Sequence, residues 1–130
     1  MAADDVLGGL LAGRHLVAGG HRRSAHVHGP DHPQQAQDRR TGLVRAVEES
    51  GLGADAIVDI AATRLDVGAG RDAGARLIGL QPRPTAVFCA NDLLALGVMQ
   101  ASSTQASVSR TTWPSSAMTT SSSRKPASSP

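Results

Sequence analysis

The chain reads as an α/β protein, an open parallel sheet flanked by helices. Three observations carry that reading. Short apolar runs bounded by turn signals occur near residues 24–28, 54–60 and 86–90. Each is followed by a longer stretch with apolar residues at helical spacing. One more helical stretch precedes them all, so the order is helix, then strand–helix three times. Alternation of this kind calls for parallel strands joined by crossover helices on both faces of the sheet.

The elements follow in order. Val6 to Ala18 predicts an amphipathic helix, with Leu7, Leu10, Leu11 and Leu16 on its apolar side and Gly19-Gly20 as its stop. Ser24 to His28 predicts a short strand with Ala25 and Val27 on one face, and Gly29-Pro30-Asp31 a turn. Gln34 to Ser50 predicts the second helix, with Leu43, Val44 and Val47 inward and Gly51 ending it. Ala54 to Ile60 predicts a strand and Asp66 to Gly70 a loop. Arg71 to Leu80 predicts a third helix with Ala75, Leu77 and Ile78 inward. Arg83-Pro84-Thr85 feeds the apolar run Ala86 to Ala90. Asn91 then caps a fourth helix that runs to Ala101.

Composition sets limits. The 130 residues carry a net charge of +2, and Phe88 and Trp113 are the only aromatic side chains. The core must therefore come from Ala, Val, Leu and Ile, which bury less area per residue. All 11 acidic residues lie before residue 93, so residues 1–101 carry a net charge of −1, while residues 102–130 carry Arg110, Arg124 and Lys125 without an acid. The basic balance belongs to the end of the chain and is too sparse for a nucleic-acid patch. Lone Cys89 cannot form an internal disulfide and suits a reducing compartment. No run approaches a membrane span, and Met1 to Asp5 is acidic where a signal peptide is basic. The expected location is the cytoplasm.

Residues 102–130 change character, with 11 Ser and 5 Thr in 29 positions and no Leu, Ile or Phe. They predict a disordered tail after a folded unit of residues 1–101.

Several ordered stretches resemble the effector-binding half of the lactose-repressor (LacI) family of transcription regulators. Asp4-Asp5-Val6-Leu7-Gly8-Gly9 with Ala12 to Leu16 is similar to the family's "DNxxGgxxAaxHL" helix. Gly20 to Val27 with Gly29-Pro30 is similar to "GHrrIAhixGp", and Asp38 to Leu43 to "dRxxGf". Pro84 to Gly97 is similar to "PTAVFaaNDxxAlG". The resemblance implies part of a periplasmic-binding-protein-like subdomain that holds a small polar effector, a sugar or a related metabolite. It implies homodimers in intact relatives, and DNA contact only through a helix-turn-helix that would lie before Met1. Ser24 departs from the family's apolar residue. The tail replaces the family's "VPxDvavvGyDD", whose Asp pair by resemblance bonds the effector. A reading frame shifted by one nucleotide after Gln100 permits that element: Met118-Thr119 forces Asp and Trp113-Pro114 forces Ala, both where the family wants them. The tail is thus expected to be a frameshift product. The chain as written is expected neither to bind operator DNA nor to hold effector well.

Candidate ligand residues are Asn91, Asp92 and Arg39. Side chains at the carboxyl end of a strand in an open α/β sheet reach the crevice where ligands bind. Asn91 at such an end suits a helix cap and a ligand contact equally. By resemblance it matches an effector contact, and Arg39 matches an Arg that binds effector oxygens with its planar donor fork. On sequence alone Arg39 reads as a solvated helix residue.

Other constellations fall short of a site. His21, His26, His28 and His32 lack the Cys or Glu that would complete a zinc set. Gly68-Ala69-Gly70 lacks the third Gly of a dinucleotide fingerprint. There is no nucleophile elbow, and Cys89 reads as core. No enzyme activity, cofactor, metal or membrane partner is expected. The rival readings are a periplasmic-type sugar-binding protein of the same fold and a small metal-dependent enzyme built on the histidines.

Overall fold

A computed structural model describes residues 2–30, 32–105, 113 and 117–120. Helix α1 (Ala2–Ala18) leads into strand β1 (Ser24–His28), helix α2 (Pro33–Glu49), strand β2 (Ile57–Ala61), helix α3 (Val67–Ile78), strand β3 (Ala86–Cys89), helix α4 (Asp92–Gln105) and strand β4 (Met118–Thr120). The four strands form one parallel sheet in the order β2-β1-β3-β4. Helix α1 packs along α2 and α3 along α4, one pair on each face. This is the α/β architecture the sequence predicts.

Each face has its own core. Ala25, Val27, Val87 and Cys89 point toward α3 and α4 and meet Ala73, Leu77, Leu94 and Val98. Phe88 points the other way, onto Leu43 and Val47 of α2. Strand alternation places neighbours on opposite faces, so four-residue β3 feeds both cores. Full burial of the Phe88 ring contributes about 1.5–3 kcal/mol.

Small residues set the helix crossings. A Cβ on Gly42 would collide with the Val6 carbonyl, and one on Gly9 with the carbonyl of Arg39. On the other face Gly97 meets Val67 and Gly70 meets Leu94 in the same way. At both crossings backbone touches backbone, closer than any side chain allows.

That packing corrects three expectations. The buried row of α1 is Gly9, Gly13 and Leu16, whereas Leu7 and Leu11 are about half exposed. Helix α3 begins at Val67, because Asp66 caps it by accepting from the Ala69 N–H at 2.8 Å, so Gly68 to Gly70 are helical rather than loop. Gly70 and Gly74 face inward with Ala73, while Ala75 is exposed.

The stretch after Ala101 also differs in part. Helix α4 runs on to Gln105, and Met118 to Thr120 pair with Val87 to Cys89. Trp113 is buried and donates its indole N–H to the Pro84 carbonyl at 2.9 Å. Ala117 is buried against Leu16 and Ala86. These five residues join the fold. The rest of the expected tail, 106–112, 114–116 and 121–130, lies outside the described residues.

Candidate functional site

Strand order locates the crevice. From β1 the chain crosses through α2 to β2 on one side, and then through α3 to β3 on the other side of β1. The connections diverge between β1 and β3, and an open α/β sheet binds ligands beyond the carboxyl ends at such a point. His28 ends β1 there, and Ala90 and Asn91 follow β3. A cleft of about 190 Å³ opens at this place, lined by His28, His32, Gln35, Arg39 and Asn91 among others.

The helices present the polar groups. Asn91 Oδ1 accepts from the Leu94 N–H at 2.9 Å and so caps α4, while the side chain also lines the cleft. The cap foreseen for it is present, and the same side chain borders the cleft. The first turn of α2 supplies Gln35, and Arg39 follows one turn later on the same side. Helix α2 starts at His32 with Pro33 in its first turn, no side-chain cap and no acid in that turn. Among the described residues no side chain caps its first N–H groups, which with their partial positive charge lie at the cleft.

Arg39 is tied down by Asp5 of α1 at 3.3 Å, with both side chains mostly buried. It also borders a second cleft of about 410 Å³, lined by Asp5, Leu11, His15, Phe88, Thr119 and Thr120 among others. Asp92 borders neither cleft; its Oδ1 accepts from the Thr120 hydroxyl at 2.8 Å, joining the start of α4 to β4. Two of the three candidates thus meet at the crevice, and the third serves the sheet edge.

Sequence reasoning passed over His28, His32 and Gln35 as cleft residues. The usable signals were the place of His28 at a strand end and the spacing of Gln35 four residues before Arg39.

Beside the cleft, buried His26 pairs with Asp59, whose side chain is partly exposed. His26 Nδ1 donates to Asp59 at 3.0 Å, and Arg40 pairs with the other carboxylate oxygen. His26 Nε2 is buried without a partner. Burial lowers the His26 pKa against the opposing pull of Asp59, so the ring is held neutral. Asp59 is also partly desolvated, yet its bonds to His26 and Arg40 leave its pKa below the usual carboxylate value. Burial pushes the Cys89 thiol up to about 12, and it is inert core. Among the described residues no three His, Cys, Asp or Glu side chains gather as a metal set, and no helix is long and apolar enough to cross a membrane.

Residues 14–107 match the model of the periplasmic binding protein-like domain. The transcriptional repressor PurR of Mannheimia succiniciproducens is 35% identical over 99 residues, covering 72% of this chain and 28% of the relative. The regulator GalR of Escherichia coli is 37% identical over 100 residues, covering 76% and 29%. The chain therefore spans less than a third of the length of these relatives. A LacI family regulator from Enterococcus faecium, solved with bound ribose, superposes with a TM-score of 0.69 at 29% identity, covering 78% of this chain and 37% of that one. The shared sheet, the crevice at its switch point and these matches together make the chain a member of the periplasmic binding protein-like domain family, in the form carried by LacI-type transcription regulators.

Proposed function

We propose that the chain is part of the effector-sensing domain of a transcription regulator. Its ligand is a small oxygen-rich metabolite, a sugar or a relative of one, seated against Arg39 and Asn91. The supporting observation is that these two side chains share one cleft at the β1–β3 switch point. Asp92 supports the site from behind through Thr120 rather than by touching ligand. In the full regulator a second lobe closes over the ligand and shifts the populations of DNA-binding states. Operator recognition belongs to a helix-turn-helix outside this chain, the working form is a homodimer, and the compartment is the cytoplasm. No catalytic step is assigned to these residues.

A single wall cannot surround a ligand as binding pockets do. Affinity is therefore expected to be weaker than about 1 mM. Titration of the 130-residue chain with a panel of neutral and acidic sugars, followed by amide NMR, is the test. Shifts centred on His28, Gln35, Arg39 and Asn91 are expected; their absence with every compound overturns the reading. We also propose that the residues after Gln100 follow a shifted frame, which the nucleotide sequence of the gene tests directly.

A further inference from the structure

We infer that this cleft selects an anionic ligand, a small metabolite bearing a phosphate or carboxylate, over its neutral counterpart. The inference rests on the effector-site reading above and adds the chemical class. The polar side chains that line the cleft are Arg39, His28, His32, Gln35 and Asn91. Among the described residues, no carboxylate lines it. Neutral sugars offer hydroxyl hydrogens, and a site that holds them needs strong acceptors as well as donors. Here the Asn91 carbonyl oxygen is already committed to the Leu94 N–H, which leaves its amide N–H groups for the ligand. The guanidinium of Arg39 supplies a donor fork that matches carboxylate and phosphate oxygens.

The backbone points the same way. Helices α2 and α4 both begin at the cleft, at His32 and Asn91. Among the described residues no acid lies in the first turn of α2, whereas Asp92 lies in that of α4. Among the described residues Asp5 is the one carboxylate paired with Arg39, and it borders the neighbouring cleft instead. A guanidinium carries five N–H donors and the pair with Asp5 engages one nitrogen, so an incoming anion can share Arg39 with Asp5.

The experiment compares glucose, glucuronate, glucose 6-phosphate and inorganic phosphate by amide NMR on the 130-residue chain. The acidic sugars are expected to bind about tenfold more tightly than glucose, the worth of one charge-assisted hydrogen bond. Their shifts should map to His28, His32, Arg39 and Asn91. Gln35→Glu places a carboxylate in the first turn of α2, where it favours the helix, so the variant folds. It should abolish the preference of the cleft for acidic sugars over glucose. Glucose bound as tightly as the acidic sugars overturns the inference and leaves the effector-site reading intact. No cleft shift with any probe overturns both. Shifts confined to residues outside the cleft, or a preference untouched by Gln35→Glu, also overturn the inference.

Discussion

His26 lies against Phe88, ring centroids 5.5 Å apart and planes inclined by 16°. The two residues are register partners on β1 and β3, so this contact spans the strands that flank the crevice. The next partner across the sheet is Asp59 on β2. One polar and one aromatic contact therefore run side by side on the α1–α2 face, and the imidazole between them must stay uncharged.

That requirement gives stability a sign with pH. His26 has a lower pKa folded than unfolded, so the unfolded chain binds the extra proton. The stabilisation is complete above the ordinary histidine value of about 6.5 and is lost as pH falls below it. Asp59 acts in the same direction at lower pH, its contribution fading below about 4. Urea denaturation at a series of pH values should show stability falling from pH 7 to 5, and His26→Phe should flatten that fall. An unchanged slope in the variant refutes this account.

The caps separate folding from recognition at Asn91. Asn91→Ala removes the bond to the Leu94 N–H and should destabilise the chain by about 1 kcal/mol. Asn91→Asp keeps an acceptor for the cap but loses the amide donors. It should retain stability in thermal melts while weakening the NMR response to acidic sugars. Equal losses of stability in both variants would show that more than the cap is at stake.

Glycines at the crossings are predicted to be intolerant, and one elsewhere is not. Gly97→Ala drives a methyl group into the backbone of α3 and should lower stability by about 1–3 kcal/mol. Gly8 has nothing within 4 Å of its would-be Cβ and sits inside α1, so Gly8→Ala should raise stability by about 0.5–1 kcal/mol. Denaturant midpoints of the two variants, moving in opposite directions, are the check.

Trp113 reports on β4. It is the chain's single Trp, 3% exposed and bonded to Pro84. Its fluorescence should be blue-shifted in the native chain and shift red on unfolding. Trp113→Ala should lower stability by about 3–5 kcal/mol. Emission at the wavelength of free tryptophan in native buffer would contradict the burial.

Cys89 should resist thiol reagents at pH 8 until the chain unfolds, since its pKa of about 12 leaves almost no thiolate. Labelling kinetics with and without denaturant measure this.

The strands β1 and β3 were legible because buried apolar runs between turn signals leave few other readings. The inward faces of α1 and α3 were not. Apolar residues at helical spacing point to Leu7, Leu11 and Ala75, whereas the seams run along Gly9, Gly13, Gly70 and Gly74, where close approach matters more than area. Strand β4 was hidden because Met118-Thr119-Thr120 sits in a Ser/Thr-rich stretch with no hydrophobic alternation, and partners from β3 and Trp113 decide its state. At the site, the strand-end rule found Asn91 from residues alone, while Arg39 stood out only through the family resemblance. For Gln35 the one signal was its spacing, four residues before Arg39 on the same side of α2.

The main chain of Arg39 is braced by Gly9 from behind while its guanidinium reaches forward into the crevice. Recognition at this position is thus built on a stiff mount: swapping the side chain changes chemistry, but moving it means prising two helices apart. Divergence in what the pocket accepts is cheapest at His32 and Gln35, at the outer lip, where side chains can be exchanged without disturbing the frame.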